Sequence, residues 1–131
     1  MEKLTFIMDI DGTISLSEKL EDGSFDYENA TPIVPVIDRI NELYEEGHTI
    51  VLATARGMRT YEGNVEKVKE NIVPLLKSWL EKHGVKYHEL RVGKAWGERP
   101  IYVDDRGLSL KHFVHSNPEF FENIIKSDNL I

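Results

Sequence analysis

The sequence predicts an α/β fold: a parallel sheet with helices on both faces. Three observations point to it. Leu4 to Met8, Thr49 to Ala53 and Ile101 to Val103 are short apolar runs of strand length, as expected of strands buried on both sides. Between them, apolar residues recur at helical spacing over 33–44 and 64–83. Each run also stops at a residue able to do chemistry, namely Asp9, Thr54 or Asp104.

The first strand, Leu4 to Met8, ends at Asp9. Residues 14–31 have no sustained period, and Glu21-Asp22-Gly23-Ser24 is a turn signal suited to closing a small hairpin. Thr31 followed by Pro32 reads as a cap with proline in the first helical turn. Ile33, Val36, Ile37, Ile40, Leu43 and Tyr44 then keep one helical face, which Gly47 ends. Thr49 to Ala53 is the second strand. Val65, Val68, Ile72, Leu75, Leu76, Trp79 and Leu80 mark a second helical stretch closed by Gly84, with Pro74 predicting a kink or two consecutive helices. Trp79 falls on the apolar face and is expected in the core. A third strand lies within Val85 to Val92, and Ile101 to Val103 is the fourth. From Leu108 the tail carries one or two short helices around Pro118. There is no repeat or linker, so residues 1–131 are expected to form one domain.

A chain of 131 residues can bury a core without disulfides or a structural metal. The complete absence of cysteine excludes a disulfide framework, thiolate metal ligands and a cysteine nucleophile. A net charge of −7 disfavours nucleic-acid backbones and anionic membranes as partners. The apolar run at the N-terminus is short and broken by Asp9, unlike a signal peptide or a membrane span, and a cytoplasmic location is expected.

In parallel sheets, ligands bind outside the carboxyl ends of the strands. Asp9-Ile10-Asp11-Gly12-Thr13 puts two carboxylates there, with Gly12 permitting the turn that lets both enter one site. One acid suits attack on phosphorus and the other the leaving-group proton. Thr54-Ala55-Arg56-Gly57 offers a hydroxyl, backbone amides and a guanidinium to a phosphoryl group. Lys94 follows the third strand, and Asp104-Asp105 ends the fourth. Adjacent acids at the end of a buried strand need neutralising, and a hard cation such as Mg2+, which prefers oxygen ligands, would do so.

In this order, the Asp9–Thr13 motif, Thr54, Lys94 and Asp104-Asp105 resemble the four motifs of the haloacid dehalogenase superfamily. The resemblance spans Leu4 to about Leu108. More narrowly, the stretch from Thr54 through Arg59-Thr60-Tyr61-Glu62-Gly63-Asn64 to Val65, with Val92-Gly93-Lys94-Ala95-Trp96, is similar to the capsule-biosynthesis phosphatases. Ala95 departs from the proline expected after the lysine.

The resemblance implies a three-layer, Rossmann-like fold and a two-step phosphatase mechanism. Asp9 would attack phosphorus and form an aspartyl-phosphate. Asp11 would protonate the leaving alcohol and then act as base for the hydrolytic water. Mg2+ would be held by Asp9, the backbone carbonyl of Asp11 and Asp104, with Asp105 orienting metal-bound water. Thr54, Lys94 and the amides near Gly12 and Ala55 would hold the phosphoryl group.

The inserts at 14–31 and 55–63 are too short for a cap domain, so an essentially capless enzyme is expected. Asp26, Tyr27, Arg56, Arg59, Tyr61 and Glu62 are candidates for contacting the leaving group, with Arg56 and Arg59 foremost. Trp96 would stack on a substrate or pack its loop. The five histidines show no metal-ligand spacing tied to the motifs. The expected partner is a small phosphorylated metabolite, a sugar phosphate or short polyol phosphate of capsular polysaccharide precursor synthesis. A phosphotransferase or an inactive phosphate-binding module on the same fold are the alternatives. A signalling receiver domain is disfavoured because its acid pair comes first in the chain. Oligomeric state is open: Phe120, Phe121, Ile124 and Ile125 suit either internal packing or a dimer contact.

Overall fold

The computed structural model describes residues 2–126; Met1 and residues 127–131, the two ends of the expected 1–131 domain, lie outside them. Ten elements follow in order: β1 (Thr5–Met8), β2 (Ser15–Leu16), β3 (Thr31–Pro32), α1 (Val34–Glu45), β4 (Thr49–Ala53), α2 (Val65–Asn71), α3 (Val73–Lys82), β5 (Glu89–Arg91), α4 (Leu110–His115) and α5 (Pro118–Lys126).

β4 is the central strand of a three-stranded parallel sheet ordered β1-β4-β5. Ile50, Val51 and Leu52 are all buried, as a strand covered on both faces requires. Thr5 pairs with Thr49 and Met8 with Leu52, so Asp9, just past β1, lies level with Ala53, the last residue of β4. Ala53 pairs with Arg91, which brings the chain after β5 to the same edge. One continuous core runs from Met8, Ile10 and Ile14 through Ile40, Leu43, Leu76 and Leu80 to Phe113 and Phe121. Phe6 meets Phe113 and Phe121 edge to face, which seats α4 and α5 against β1.

The second helical stretch divides as Pro74 predicts, with α2 ending before Ile72 and α3 carrying proline in its first turn. Asn64 caps α2 by accepting the backbone N–H of Lys67 at 3.2 Å. Trp79 is buried as expected, and its indole N–H donates to the carbonyl of Ala30 at 3.1 Å. That bond ties α3 to the segment following Asp9. Residues 14–31 form the small hairpin foreseen, with β2 antiparallel to β3, Lys19 bridged to Phe25 and the turn closed at Gly23.

Three expectations are corrected. Thr31 and Pro32 form β3 instead of opening a helix; α1 begins at Val34, with Pro35 in its first turn. The hairpin claims Thr31 by pairing it with Leu16, and Pro35 supplies the preset φ that was assigned to Pro32. The fourth strand is not formed. Ile101 and Val103 are 87% and 93% exposed, and among the described residues β1 pairs with β4 alone. Tyr102 explains where the segment goes: its hydroxyl donates to the carbonyl of Ala95 at 2.7 Å, and its ring lies 4.2 Å from the Lys94 ammonium. A triplet offers few ladder bonds, and these side-chain ties hold it to the preceding loop instead. Consequently β1 is not buried on both faces. Ile7 is 67% exposed, so helices do not cover both faces of the sheet at this strand.

Candidate functional site

Alternation along the chain builds the first part of the site. Ile10 is fully buried, so its neighbours Asp9 and Asp11 are turned the other way, towards solvent. The carbonyl of Ile10 accepts the N–H groups of Thr13, Ile14 and Ser15 at 2.8–3.2 Å, which winds the chain into a tight loop. Gly12 has φ +81° within it and donates to the carbonyl of Ser15 at 2.8 Å. A side chain would find open space there but would be strained by the left-handed backbone.

Main-chain pairing places the second and third parts. The N–H of Thr54 donates to the carbonyl of Arg91 at 3.0 Å, and the N–H of Lys94 donates to the carbonyl of Thr54 at 3.2 Å. Lys94 is thereby held at the sheet edge, and its Nζ lies 3.4 Å from Oδ1 of Asp9. Thr54 is buried, and its Oγ1 accepts the backbone N–H of Arg56 at 3.0 Å. Ala55 lies between them in that turn.

Arg56 is the most heavily engaged charged residue of the loop. Nη2 donates to Oδ1 of Asp11 at 2.6 Å and Nε to Oδ2 at 3.2 Å. Its guanidinium carbon lies 4.0 Å from the centre of the Tyr27 ring. Burial, and then the neighbouring Asp11, push the Tyr27 phenol above its ordinary value. Arg59 goes elsewhere: it bridges to Glu98 at 2.5 Å on an exposed surface, and its guanidinium carbon lies 5.4 Å from the centre of the Trp96 ring.

The last acids are less closely placed. Asp104 lines the same cavity as Asp9, Thr13, Lys94 and Tyr102, a space of about 1050 Å³ open along β1. Its Oδ1 accepts the backbone N–H of Arg106 at 3.2 Å; that bond, and then the side chain of Asp105, lower its pKa from the ordinary value. Four carboxylates make a donor set suited to a hard cation. Their arrangement does not fit one. Among the described residues, no three His, Cys, Asp or Glu side chains converge as metal ligands require. The Asp11 carboxylate is committed to Arg56, which leaves only its backbone carbonyl for a cation, and without a fourth strand Asp104 reaches the cavity from a loop and is not paired beside Asp9 in the sheet.

Two features of the surroundings were not read from the sequence. His48 and His88 are structural: Nδ1 of His48 accepts the N–H of Leu4 and Nδ1 of His88 that of Ile50, both at 3.0 Å. Tyr102 contacts Lys94, and a signal for it exists. Ile101-Tyr102-Val103-Asp104 alternates, which puts Tyr102 and Asp104 on one side of an extended chain.

Fold and site together define an α/β protein with acidic and cationic side chains gathered at the carboxyl edge of a parallel sheet. The chain is similar to an MCSG target from Vibrio cholerae, whose crystal structure superposes with a TM-score of 0.82 at 38% sequence identity. The match covers 95% of this chain and 98% of the other, so the two belong to one family. No family model and no curated protein sequence matches the chain.

Proposed function

We propose that the protein is a phosphatase of the haloacid dehalogenase type, acting on a small phosphate monoester through an aspartyl-phosphate on Asp9. The observation that carries this reading is the meeting of Asp9 with Lys94 at 3.4 Å beside the Asp11 loop. A carboxylate poised next to a fixed ammonium suits attack on an anionic phosphorus centre, because the cation offsets the repulsion between nucleophile and substrate. Thr54 and the amides of Gly12 and Ala55 complete the phosphoryl-holding set in this reading. Asp11 handles the proton. In this reading the site has no cap domain, the 14–31 insert being a small hairpin, which favours a small, freely diffusing ester, and we carry over the sugar or polyol phosphate of capsule precursor synthesis as substrate class.

The Mg2+ requirement belongs to the same reading and rests on the chemistry of the four carboxylates alone. Their dispersed arrangement favours a second reading, a phosphate-binding module without turnover. One experiment separates the two: phosphate release from a panel of small esters, with and without Mg2+, using Asp9→Asn in parallel. Mg2+-dependent release that disappears in the variant supports the phosphatase, and the preferred ester identifies the substrate class. Binding of phosphate without release supports the module.

A further inference from the structure

The arginine beneath Asp11 faces the acid and not the open site. Its side chain is 6% exposed whereas that of Asp11 is 37% exposed, so Arg56 lies behind the carboxylate that borders solvent. Its fork is occupied by Oδ1 and Oδ2 of Asp11, and one face of the guanidinium is covered by Tyr27. An arginine serving a ligand would present that fork outwards. Tyr27 is itself anchored. Its carbonyl accepts the N–H of Ala30 at 3.3 Å, and the carbonyl of Ala30 accepts the Trp79 indole. A continuous line of contacts therefore runs from the core through the insert to Asp11.

Resting on the phosphatase reading, we propose that Arg56 is a positioning residue that fixes the carboxyl plane of Asp11, and that Tyr27 of the 14–31 insert holds Arg56 in place. The insert would then act on proton transfer and not as a substrate cover. In the first step an Asp9 oxygen bonds to phosphorus while the bond to the leaving oxygen breaks. The electron pair of that bond stays on the leaving oxygen, which takes the proton from Asp11. In the second step water bonds to phosphorus, passes a proton to Asp11, and the phosphorus–Asp9 bond breaks. A carboxylate has about four lone-pair sites, and the fork takes two of them. The outward sites remain for the proton, held at a set angle to the leaving oxygen.

The test exploits the leaving group. An alkoxide such as that from glycerol 3-phosphate needs a proton as it departs, and p-nitrophenolate does not. Arg56→Ala is expected to lower the single-turnover rate of leaving-group release, which stops short of the second step that both esters share, by about 100-fold on glycerol 3-phosphate, near the low end for lost acid catalysis, and by less than about tenfold on p-nitrophenyl phosphate. Arg56→Lys keeps the charge without the fork and is expected to show the same split in weaker form, as is Tyr27→Leu. Equal losses on both esters, or a loss on glycerol 3-phosphate that disappears at saturating concentration, would overturn the proposal, since packing damage does not depend on the leaving group and a lost contact to the glycerol moiety weakens binding alone. If the wild type shows no turnover that depends on Asp9, the phosphatase reading fails, and the role of Arg56 falls with it.

Discussion

The ammonium of Lys94 bridges two parts of the chain that the sheet alone does not join: it lies 3.4 Å from Oδ1 of Asp9 and 4.2 Å from the centre of the Tyr102 ring. In the proposed reaction this is the ammonium paired with the attacking carboxylate. Lys94→Ala is expected to reduce kcat/KM for any phosphate ester by at least about 100-fold, the usual scale for losing a positioned electrostatic group. Lys94→Arg should recover only part of it, since a planar fork does not reproduce a point charge. Steady-state kinetics on both variants check this. Near-wild-type activity in Lys94→Ala would remove the residue from the site.

His48 gives the protein a pH-dependent stability. The buried imidazole accepts the N–H of Leu4 through Nδ1, and burial, followed by the nearby Lys3, lowers its pKa from 6.5. The unfolded chain therefore takes up the proton more readily than the folded one. This contribution is fully present above about pH 6.5 and is lost as pH falls from there through the lowered value of the folded state. Urea unfolding between pH 5 and pH 8 should show a steeper loss on acidification for wild type than for His48→Gln. His48→Ala should also cost roughly 1–3 kcal/mol at pH 8 by leaving the Leu4 N–H without its acceptor. Parallel pH profiles for wild type and His48→Gln would refute the assignment.

Gly57 controls the loop that carries Arg56. It has φ +86°, and a Cβ there would lie 2.9 Å from Cγ1 of Ile72 and 3.3 Å from Cγ2 of Val68. Gly57→Ala is expected to destabilise the fold by roughly 1–3 kcal/mol, from the left-handed backbone and the contact with Ile72 together. Thermal denaturation reads this directly. Removing the clashing Cγ1 altogether, as in an Ile72→Ala background, should lower the added cost of Gly57→Ala by the contact while the backbone strain remains.

β1 and the residues Tyr102 and Val103 border the same cavity without pairing. If the Mg2+ requirement is correct, Asp104 must come closer to Asp9, and the segment preceding it would come onto the edge of β1. Amide hydrogen exchange is expected to slow at 101–103 and along Thr5–Met8 when Mg2+ is added, and Asp104→Asn should abolish the change. Exchange unaltered by Mg2+ would separate the segment from cation binding.

Much of this protein was legible in its sequence wherever the signal was local. Thr49–Ala53 is continuously apolar and became the buried central strand, since a strand covered on both faces has no polar side to show. Pro74 divided α2 from α3 because a missing N–H and a fixed φ act within one turn. Asp9, Asp11, Thr54 and Lys94 could be assigned to one edge because parallel strands all present their carboxyl ends on the same side.

What depended on three dimensions was which of these groups touch. Arg56 and Asp11 are far apart in sequence, and the fork meets the acid where the insert, tied to Trp79, lays Tyr27 over the guanidinium. The Ile101–Val103 triplet carries the composition of a strand, but pairing is a property of two segments. Tyr102 bound its segment to Ala95 and Lys94, and the edge of β1 stayed open. Composition and spacing determine the local conformations and the edge of the sheet where chemistry can gather. Contacts between distant residues, each worth little alone and decided by the whole packing, determine how the gathered groups are paired.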